Sequence, residues 1–237
     1  MRPFVLVHGS FCGGWVWKFL APILRAKGHE VHTPTLTGLG ANSHQSRPNG
    51  ITLATHIEDV SNTLFYEDLT DAVLVGHSYA GMIISGVAVK LPSRLASLVY
   101  FDAYLPSKGE SEVELWPEDQ LAIYKADIAA GRRFRKPLSP EILGIQDPEL
   151  AEWTMARLVP HPLSTYEDRP PEATSQSESI PRAYIYCTQG PIAQWTKVFA
   201  SRSKELGFRQ YILNTGHAAQ LTHPKELADM LIEIAQG

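Results

Sequence analysis

A serine hydroxyl is a weak nucleophile at neutral pH; it needs a base within hydrogen-bond reach and a carboxylate to orient that base. In this 237-residue chain such a serine stands in Gly76-His77-Ser78-Tyr79-Ala80-Gly81. Ahead of it is Ala72-Val73-Leu74-Val75, an apolar run of strand type, and behind it Met82 to Val89, an apolar run of helix length. A serine between a buried strand and a buried helix, flanked by small residues, is the pattern of a nucleophile elbow, a turn so sharp that Oγ projects above the sheet. The usual spacing is G-x-S-x-G; here Ala80 takes the last position, a small enough residue to be tolerated.

In such an architecture the acid and the histidine follow the serine in the chain. The base is expected in a loop after the final strand, where Asn214-Thr215-Gly216-His217-Ala218 stands. Of the other histidines, His8 reads as an organiser of its own loop, His77 lies inside the elbow and His223 opens a helix at the surface. One usual place for the acid is the loop after the next-to-last strand, but residues 187–194 contain no Asp or Glu. The other is the end of the strand after the elbow helix, and Asp102 stands there after Val99-Tyr100-Phe101. A carboxylate closing a buried apolar run is costly unless paired, and His217 is its candidate partner. Glu178 and Glu205 are reserves.

Negative charge developing on a substrate carbonyl oxygen calls for backbone N–H donors. Tyr79, after the nucleophile, supplies one. The loop His8-Gly9-Ser10-Phe11 supplies the other, from Ser10 or alternatively from Phe11. Walls for a substrate pocket are expected from Phe11, Trp116, Trp153 and His161, among the aromatic residues Trp116, Tyr124, Phe134, Trp153 and Tyr166 of the middle region. No cofactor is expected: Gly38-Leu39-Gly40 lacks the third glycine and the following helix of a dinucleotide fingerprint, and there is no P-loop. No histidine, cysteine and carboxylate spacing suggests a metal.

The elements that must position these residues follow from the apolar pattern. Strands are predicted at 4–7, 30–32, 72–76, 95–102, 184–187 and 210–213, with helices at 15–27, 52–68, 82–91, 191–206 and 224–235 and a loop over 34–50. This alternation implies an α/β fold with a mostly parallel, six-stranded, doubly wound sheet. Residues 106–180 break it. They contain no convincing strand, and helices are expected near 117–130, 140–145 and 147–159. The predicted organisation is a core of residues 1–105 and 181–237 with a helical lid, 106–180, inserted after the strand that follows the nucleophile helix. Within that lid Arg132-Arg133-Phe134-Arg135-Lys136 reads as a solvated basic face.

One domain accounts for this length. A net charge of −4 gives no basic footprint for nucleic acid. No apolar run reaches the roughly 20 residues that span a bilayer, and a first strand beginning at Pro3 leaves no room for a signal peptide. Cys12 and Cys187 are expected as free thiols in a reducing cytoplasm. The expected partner is a small-molecule ester, with no nucleic acid and no membrane; the oligomeric state is not readable from these features.

Taken together, Val5-Leu6-Val7-His8-Gly9-Ser10 with Trp15 and Trp17, the segment Val75 to Gly81, Asp102-Ala103-Tyr104-Leu105-Pro106 and Gly216-His217 resemble the α/β-hydrolase superfamily. The likeness is to the branch of plant methylesterases, hydroxynitrile lyases and bacterial esterases. It implies a cofactor-free serine hydrolase of the carboxylesterase type, cleaving small or medium, apolar or aromatic esters through an acyl-enzyme. It also implies that activity is lost as His217 protonates. The plant members carry their acid where this chain has Gln189-Gly190, which moves the role to Asp102. The lyases of the branch place Thr after the first strand's His and Lys after the catalytic His, where this chain has Gly9 and Ala218. A lyase, or a ligand-binding or receptor protein on the same scaffold, is the alternative.

Overall fold

The computed structural model describes residues 1–47, 50–107 and 109–237. The chain opens with β1 (Phe4–Val7), a 3₁₀ turn (Gly14–Trp17), α1 (Ala21–Ala26) and β2 (Val31–His32). The helix expected over 15–27 is split because Pro22 lacks an N–H and begins a new helix rather than continuing one. The expected loop 34–50 holds a 3₁₀ turn (Gly40–Gln45), and its residues 48–49 lie outside those described. Next come α2 (Leu53–Tyr66), β3 (Ala72–His77), α3 (Ala80–Lys90) and β4 (Leu95–Phe101). Helix α2 starts where Thr52 and Thr55 cap each other's backbone amides in a capping box.

The middle stretch, whose residue 108 lies outside those described, carries α4 (Glu118–Ala129), β5 (Phe134–Arg135), α5 (Pro140–Leu143), α6 (Pro148–Met155), β6 (His161–Pro162), α7 (Ser164–Glu167) and α8 (Ser175–Glu178). Contrary to the strand-free expectation, β5 and β6 pair antiparallel, Phe134 opposite Pro162 and Arg135 opposite His161. Two residues each give no periodicity that a sequence pattern could reveal. The chain then returns through β7 (Arg182–Cys187), α9 (Pro191–Glu205), β8 (Arg209–Leu213), α10 (Ala219–Thr222) and α11 (Pro224–Gln236).

Six strands form one parallel sheet in the order β2-β1-β3-β4-β7-β8. Side chains alternate between its two faces, as a two-residue repeat requires. Val5, Val7, Leu74, Leu98 and Tyr100 pack on one side with Leu53, Ile57, Val60 and Leu64 of α2 and with the buried face of α3. Phe4, Leu6, Val73, Val75, Val99 and Phe101 pack on the other with Leu24 of α1 and Leu227, Leu231 and Ile234 of α11. Both faces are covered over β1, β3 and β4, which is why these strands read as largely apolar runs, whereas the edge strand β8 is mostly exposed. The chain leaves β1 toward one edge and resumes at β3 on β1's other side, so the crevice above β1 and β3 is a topological switch point. Register pairs Val7 with Gly76 and His77 with Phe101, so the loops after β1, β3 and β4 emerge side by side. Among the described residues, no helix is long and apolar enough to cross a membrane.

Candidate active site

Ser78 follows the last residue of β3 with φ of 57°, and α3 begins two residues later. Its N–H still donates to Phe101 O (3.2 Å), while its C=O accepts from Gly81 N–H and Tyr104 N–H (3.1 Å each). That left-handed backbone is held by three bonds from two neighbouring segments. The turn is tight enough that a Cβ at position 81 would collide with the Tyr104 carbonyl, so glycine is required there, whereas Ala80 is accommodated, fully buried. Five non-glycine residues with positive φ occur among those described, and Phe11, Ser78 and Asp102 (φ 68°, 57° and 42°) are three of them. Each costs on the order of 1 kcal/mol or more, and such strain gathers at functional sites.

Asp102 follows β4 directly and is fully buried. His217 Nδ1–H donates to its Oδ2 at 2.6 Å, across 115 residues of sequence. Thr196 Oγ1 of α9 (2.7 Å) and Cys187 N–H of β7 (3.3 Å) donate to Oδ1. Both carboxylate oxygens are therefore occupied by donors, the condition for burying a charge. Thr196 carried no sequence signal, since one threonine on an amphipathic helix is unremarkable. The reserves do not approach this point: Glu178 and Glu205 are exposed at the ends of α8 and α9.

His217 is 4 % exposed, and the ring of His77 lies against its own with centroids 4.3 Å apart. His77 Nε2–H donates to the His217 carbonyl (3.0 Å), and burial followed by the nearness of His217 holds the His77 imidazole well below its ordinary range. A neutral His77 thus braces the backbone of the loop that carries His217. His8 organises its loop as expected: Nδ1–H donates to Gly9 O (2.8 Å) and Nε2 accepts from Leu36 N–H (3.1 Å). The expectation that His223 is a surface residue is corrected, because it is half-buried with Nδ1 2.8 Å from the Thr215 hydroxyl of the same loop.

Behind the loop after β1 lies a buried polar cluster. Phe11 N–H donates to His161 Nδ1 (3.4 Å) and Phe11 O accepts from Val159 N–H (2.9 Å). His161 Nε2–H donates to Thr165 Oγ1 (2.8 Å), and its ring stacks on Tyr166 at 4.5 Å. The Tyr166 hydroxyl donates to Ser10 Oγ (2.8 Å). The Tyr79 hydroxyl donates to His56 Nδ1 (2.9 Å), whose Nε2–H reaches Thr37 O (3.0 Å). Among the described residues, the amides of Ser10 and Tyr79 make no hydrogen bond to the protein.

Ser78 and His217 open on one pocket, walled mainly by apolar side chains. Phe11 and Trp116 line it as expected, joined by Tyr104, Tyr166, Leu143 and Ile145. Two expected wall residues lie elsewhere. Trp153 points away, half-buried between Trp15 (5.3 Å) and the Arg157 guanidinium (4.2 Å), and its helical neighbour Thr154 faces the pocket instead. A single step along a helix turns a side chain by about 100°, and aromatic type alone does not say which step faces inward. His161 stands behind Phe11 rather than on the wall. The basic run is not uniformly solvated either: Arg135 turns inward to the pocket, 4.1 Å from the Trp116 ring, while Arg132 pairs with Asp127 at the surface. Glu112, which no sequence pattern marked, also lines the pocket and is 2 % exposed. Among the described residues, no three His, Cys, Asp or Glu side chains converge as metal ligands would.

These burials make stability depend on pH. His8 and His56 are pushed down by burial to about 4, and His77 and His161 lie well below 6.5 for the same first reason. Between pH 6.5 and 4 the unfolded chain binds protons at these sites that the folded chain refuses, so stability falls with falling pH, by on the order of 3 kcal/mol each for His8 and His56. Glu112 works in the opposite sense: burial pushes its carboxyl up to about 8, so the folded chain keeps a proton there that the unfolded chain loses above 4.5. Four histidines outweigh one glutamate until the unfolded imidazoles have largely lost their protons, at about pH 7, and above that the glutamate prevails. The melting temperature is expected to peak at about pH 7, fall steeply toward pH 4.5 and decline gently toward pH 8. A scan by circular dichroism in constant ionic strength checks this, and a flat acid limb contradicts it.

Comparison with known proteins agrees with the architecture. The family model described as "Alpha/beta hydrolase family" matches residues 4–230. A "Carbendazim hydrolyzing esterase" of Nocardioides sp. (strain SG-4G) is 36 % identical over 244 residues, covering 98 % of each chain. "Methylesterase 10" of Arabidopsis thaliana is 28 % identical over 99 % of this chain and 92 % of its own. Among solved structures, an extracellular alpha/beta-hydrolase from a Paenibacillus species superposes with a TM-score of 0.84 at 26 % identity, covering 98 % of each chain. With a parallel sheet that turns into a helix at a strained serine, and a match running from the first strand to the last helix, the chain belongs to the alpha/beta hydrolase family.

Proposed function

We propose that the protein is a cofactor-free carboxylesterase that cleaves small or medium, apolar or aromatic esters by way of an acyl-enzyme. The single observation that carries the chemistry is the 2.6 Å bond from His217 Nδ1–H to the buried carboxylate of Asp102, above the same crevice as strained Ser78. The full-length relatives described as esterases support the reaction class. In this reading Ser78 Oγ attacks the ester carbonyl carbon as its proton passes to His217 Nε2. Tyr79 N–H and Ser10 N–H hold the resulting oxyanion. Ser10 is preferred to Phe11 because the Phe11 amide is already given to His161. The intermediate collapses, the bond to the alcohol oxygen breaks, and His217 returns the proton to the leaving alcohol. Water then repeats the sequence on the acyl-enzyme and frees the acid. Asp102 keeps the imidazole in the tautomer whose Nε2 is bare and stabilises its charged form.

Residues 106–180 act as a lid in this reading, since Glu112, Trp116, Arg135, Leu143 and Tyr166 all come from that stretch to wall the pocket. Cytoplasmic residence is part of the same proposal, on the strength of Cys12 and Cys187 as free thiols. A lyase would need a cation beside His217 to help cyanide depart, and the next residue is Ala218, itself buried. Hydrolase and binding protein are separated by p-nitrophenyl acetate: sustained turnover is expected, and a single stoichiometric release of nitrophenol without turnover overturns the enzyme reading. An ester panel varying acyl and alcohol parts independently then defines the substrate.

His161 is expected to act as a positioning residue through the Phe11 amide and Thr165. Replacing it with alanine frees a loop whose Phe11 is held at φ 68°, and a displacement of the oxyanion donor by about 1 Å is expected to lower kcat by up to about 10²-fold. KM should change little, because the pocket wall is intact. Equal losses in kcat and thermal stability of His161→Gln and His161→Ala would assign the residue a structural role only.

A further inference from the structure

Three polar side chains of the pocket that the hydrolytic steps do not use, Glu112, Thr154 and Gln220, each bury an oxygen without a hydrogen-bond partner among the described residues, and of these Glu112 is the carboxyl. Glu112 lies at the start of a 3₁₀ turn, 2 % exposed, on the pocket wall. Its Oε1 accepts from Trp116 Nε1–H at 3.2 Å, while its Oε2 is buried without a hydrogen-bond partner among the described residues. A buried polar atom left unpaired costs on the order of 1–3 kcal/mol, so such an atom in a ligand pocket marks a place where a ligand completes the bond.

We propose that Glu112 is a specificity-determining residue whose free Oε2 hydrogen-bonds an uncharged acceptor, such as a ring nitrogen or a second carbonyl, on the part of the ester remote from the scissile bond. The inference rests on the esterase reading for the word ester, but its binding test does not depend on hydrolysis.

The choice of an acceptor follows from what surrounds the carboxyl. Tyr104 and Tyr166 lie near it, and the charged neighbour is Arg135 on β5. The guanidinium does not close on the carboxylate; it sits 4.1 Å from the Trp116 ring and donates to Gln120 Oε1. Burial prevails over that charge, so the carboxyl is protonated at neutral pH. Since Oε1 already accepts from Trp116, the acidic hydrogen belongs on Oε2 and points to a partner that must accept it. A cationic ligand would have to ionise the acid and lie near Arg135, and an anionic one would have to give up its hydration against a mainly apolar wall. The rest of the wall is mainly apolar, which suits a flat hydrocarbon or heteroaromatic body carrying one such acceptor.

Methyl 2-naphthoate and the isosteric methyl quinoline-6- and quinoline-7-carboxylates test this, differing only in one ring CH replaced by nitrogen. Binding is measured by calorimetry on the full chain carrying Ser78→Ala, so that no turnover intervenes. At least one quinoline isomer is expected to bind about 10-fold tighter than the naphthoate, the worth of one buried hydrogen bond. The preference should vanish in Glu112→Leu and in Glu112→Met, and persist in Glu112→Gln, whose amide can still donate. Two hydrophobic variants are used so that misfolding of one does not decide the outcome, and the melting temperature of each is checked. Equal binding of all three esters overturns the proposal, as does a preference that survives both hydrophobic replacements. Failure of the esterase reading shows separately, as absence of turnover by the parent protein whatever the binding order.

Discussion

Ser78→Ala is expected to lower kcat on p-nitrophenyl acetate by about 10⁶-fold, the loss seen when the nucleophile of a serine protease triad is removed. The backbone that holds position 78 does not involve the hydroxyl: Phe101 O accepts its N–H, and Gly81 and Tyr104 donate to its C=O. Alanine bears the same cost at φ 57° as serine does, so the fold should persist with a stability change within about 1 kcal/mol. What remains is the pocket and the oxyanion donors, which bind and polarise an ester but offer it no nucleophile. Loss of turnover with an unaltered melting curve and unaltered ligand binding therefore separates chemistry from structure. Turnover within tenfold of the parent would remove Ser78 from the mechanism.

Asp102→Asn is expected to cost about 10⁴-fold in kcat, by the precedent of the asparagine substitution in serine proteases, through a change of tautomer. The local donors dictate it. Cys187 N–H can only donate, and with Thr196 Oγ1 it faces the Oδ1 position. An asparagine must therefore set its carbonyl oxygen there and turn its amide NH₂ toward His217 Nδ1. A donor facing Nδ1 forces that nitrogen to accept, which moves the imidazole proton to Nε2. The nitrogen facing the serine then has no lone pair with which to take a proton. Shape and volume are conserved and a buried charge is removed, so the protein should remain folded. A nitrogen-15 NMR signature of the His217 ring, with the proton moved from Nδ1 to Nε2, would accompany the rate loss. Parental turnover would show that this carboxylate does not orient the base, and with it the proposed triad would fall.

Asp102 shows how little of a buried carboxylate's setting is carried by local sequence. A carboxylate after an apolar strand announces only that it needs partners. Those partners come from β7, α9 and the loop after β8, 85 to 115 residues away. No local pattern records such a meeting. By contrast Ser78 was legible because its requirements are local: a strand, a turn too tight for bulky neighbours, and a helix. His217 was legible because chain order in this architecture puts the base in the loop after the last long strand, where His217 stands, while His223 opens the helix that follows.

The middle of the chain was less legible for the same reason. Residues 106–180 carry short helices with few buried positions; α4 buries only Gln120 among its residues. Where an element has no continuous apolar face, the period of its pattern does not tell which side chain turns inward. Thus Trp153 was expected on the pocket wall and packs against Trp15, while Arg135, from a run expected in solvent, packs on Trp116 beside the buried Glu112.

The amino-acid sequence was sufficient for the six strands, their covering helices, the serine between β3 and α3, and the histidine proposed as its base. Those features rest on interactions within about a dozen residues, where periodicity, small-residue spacing and turn chemistry leave a local imprint. Tertiary structure alone decided the rest. It joined Asp102 to His217, gave the Phe11 amide to His161 and left that of Ser10 free, and set one unpaired carboxyl oxygen in an apolar wall. These are properties of side chains brought together from distant segments in a water-poor crevice, where burial and the identity of the nearest donor, rather than residue type, determine what each group can do.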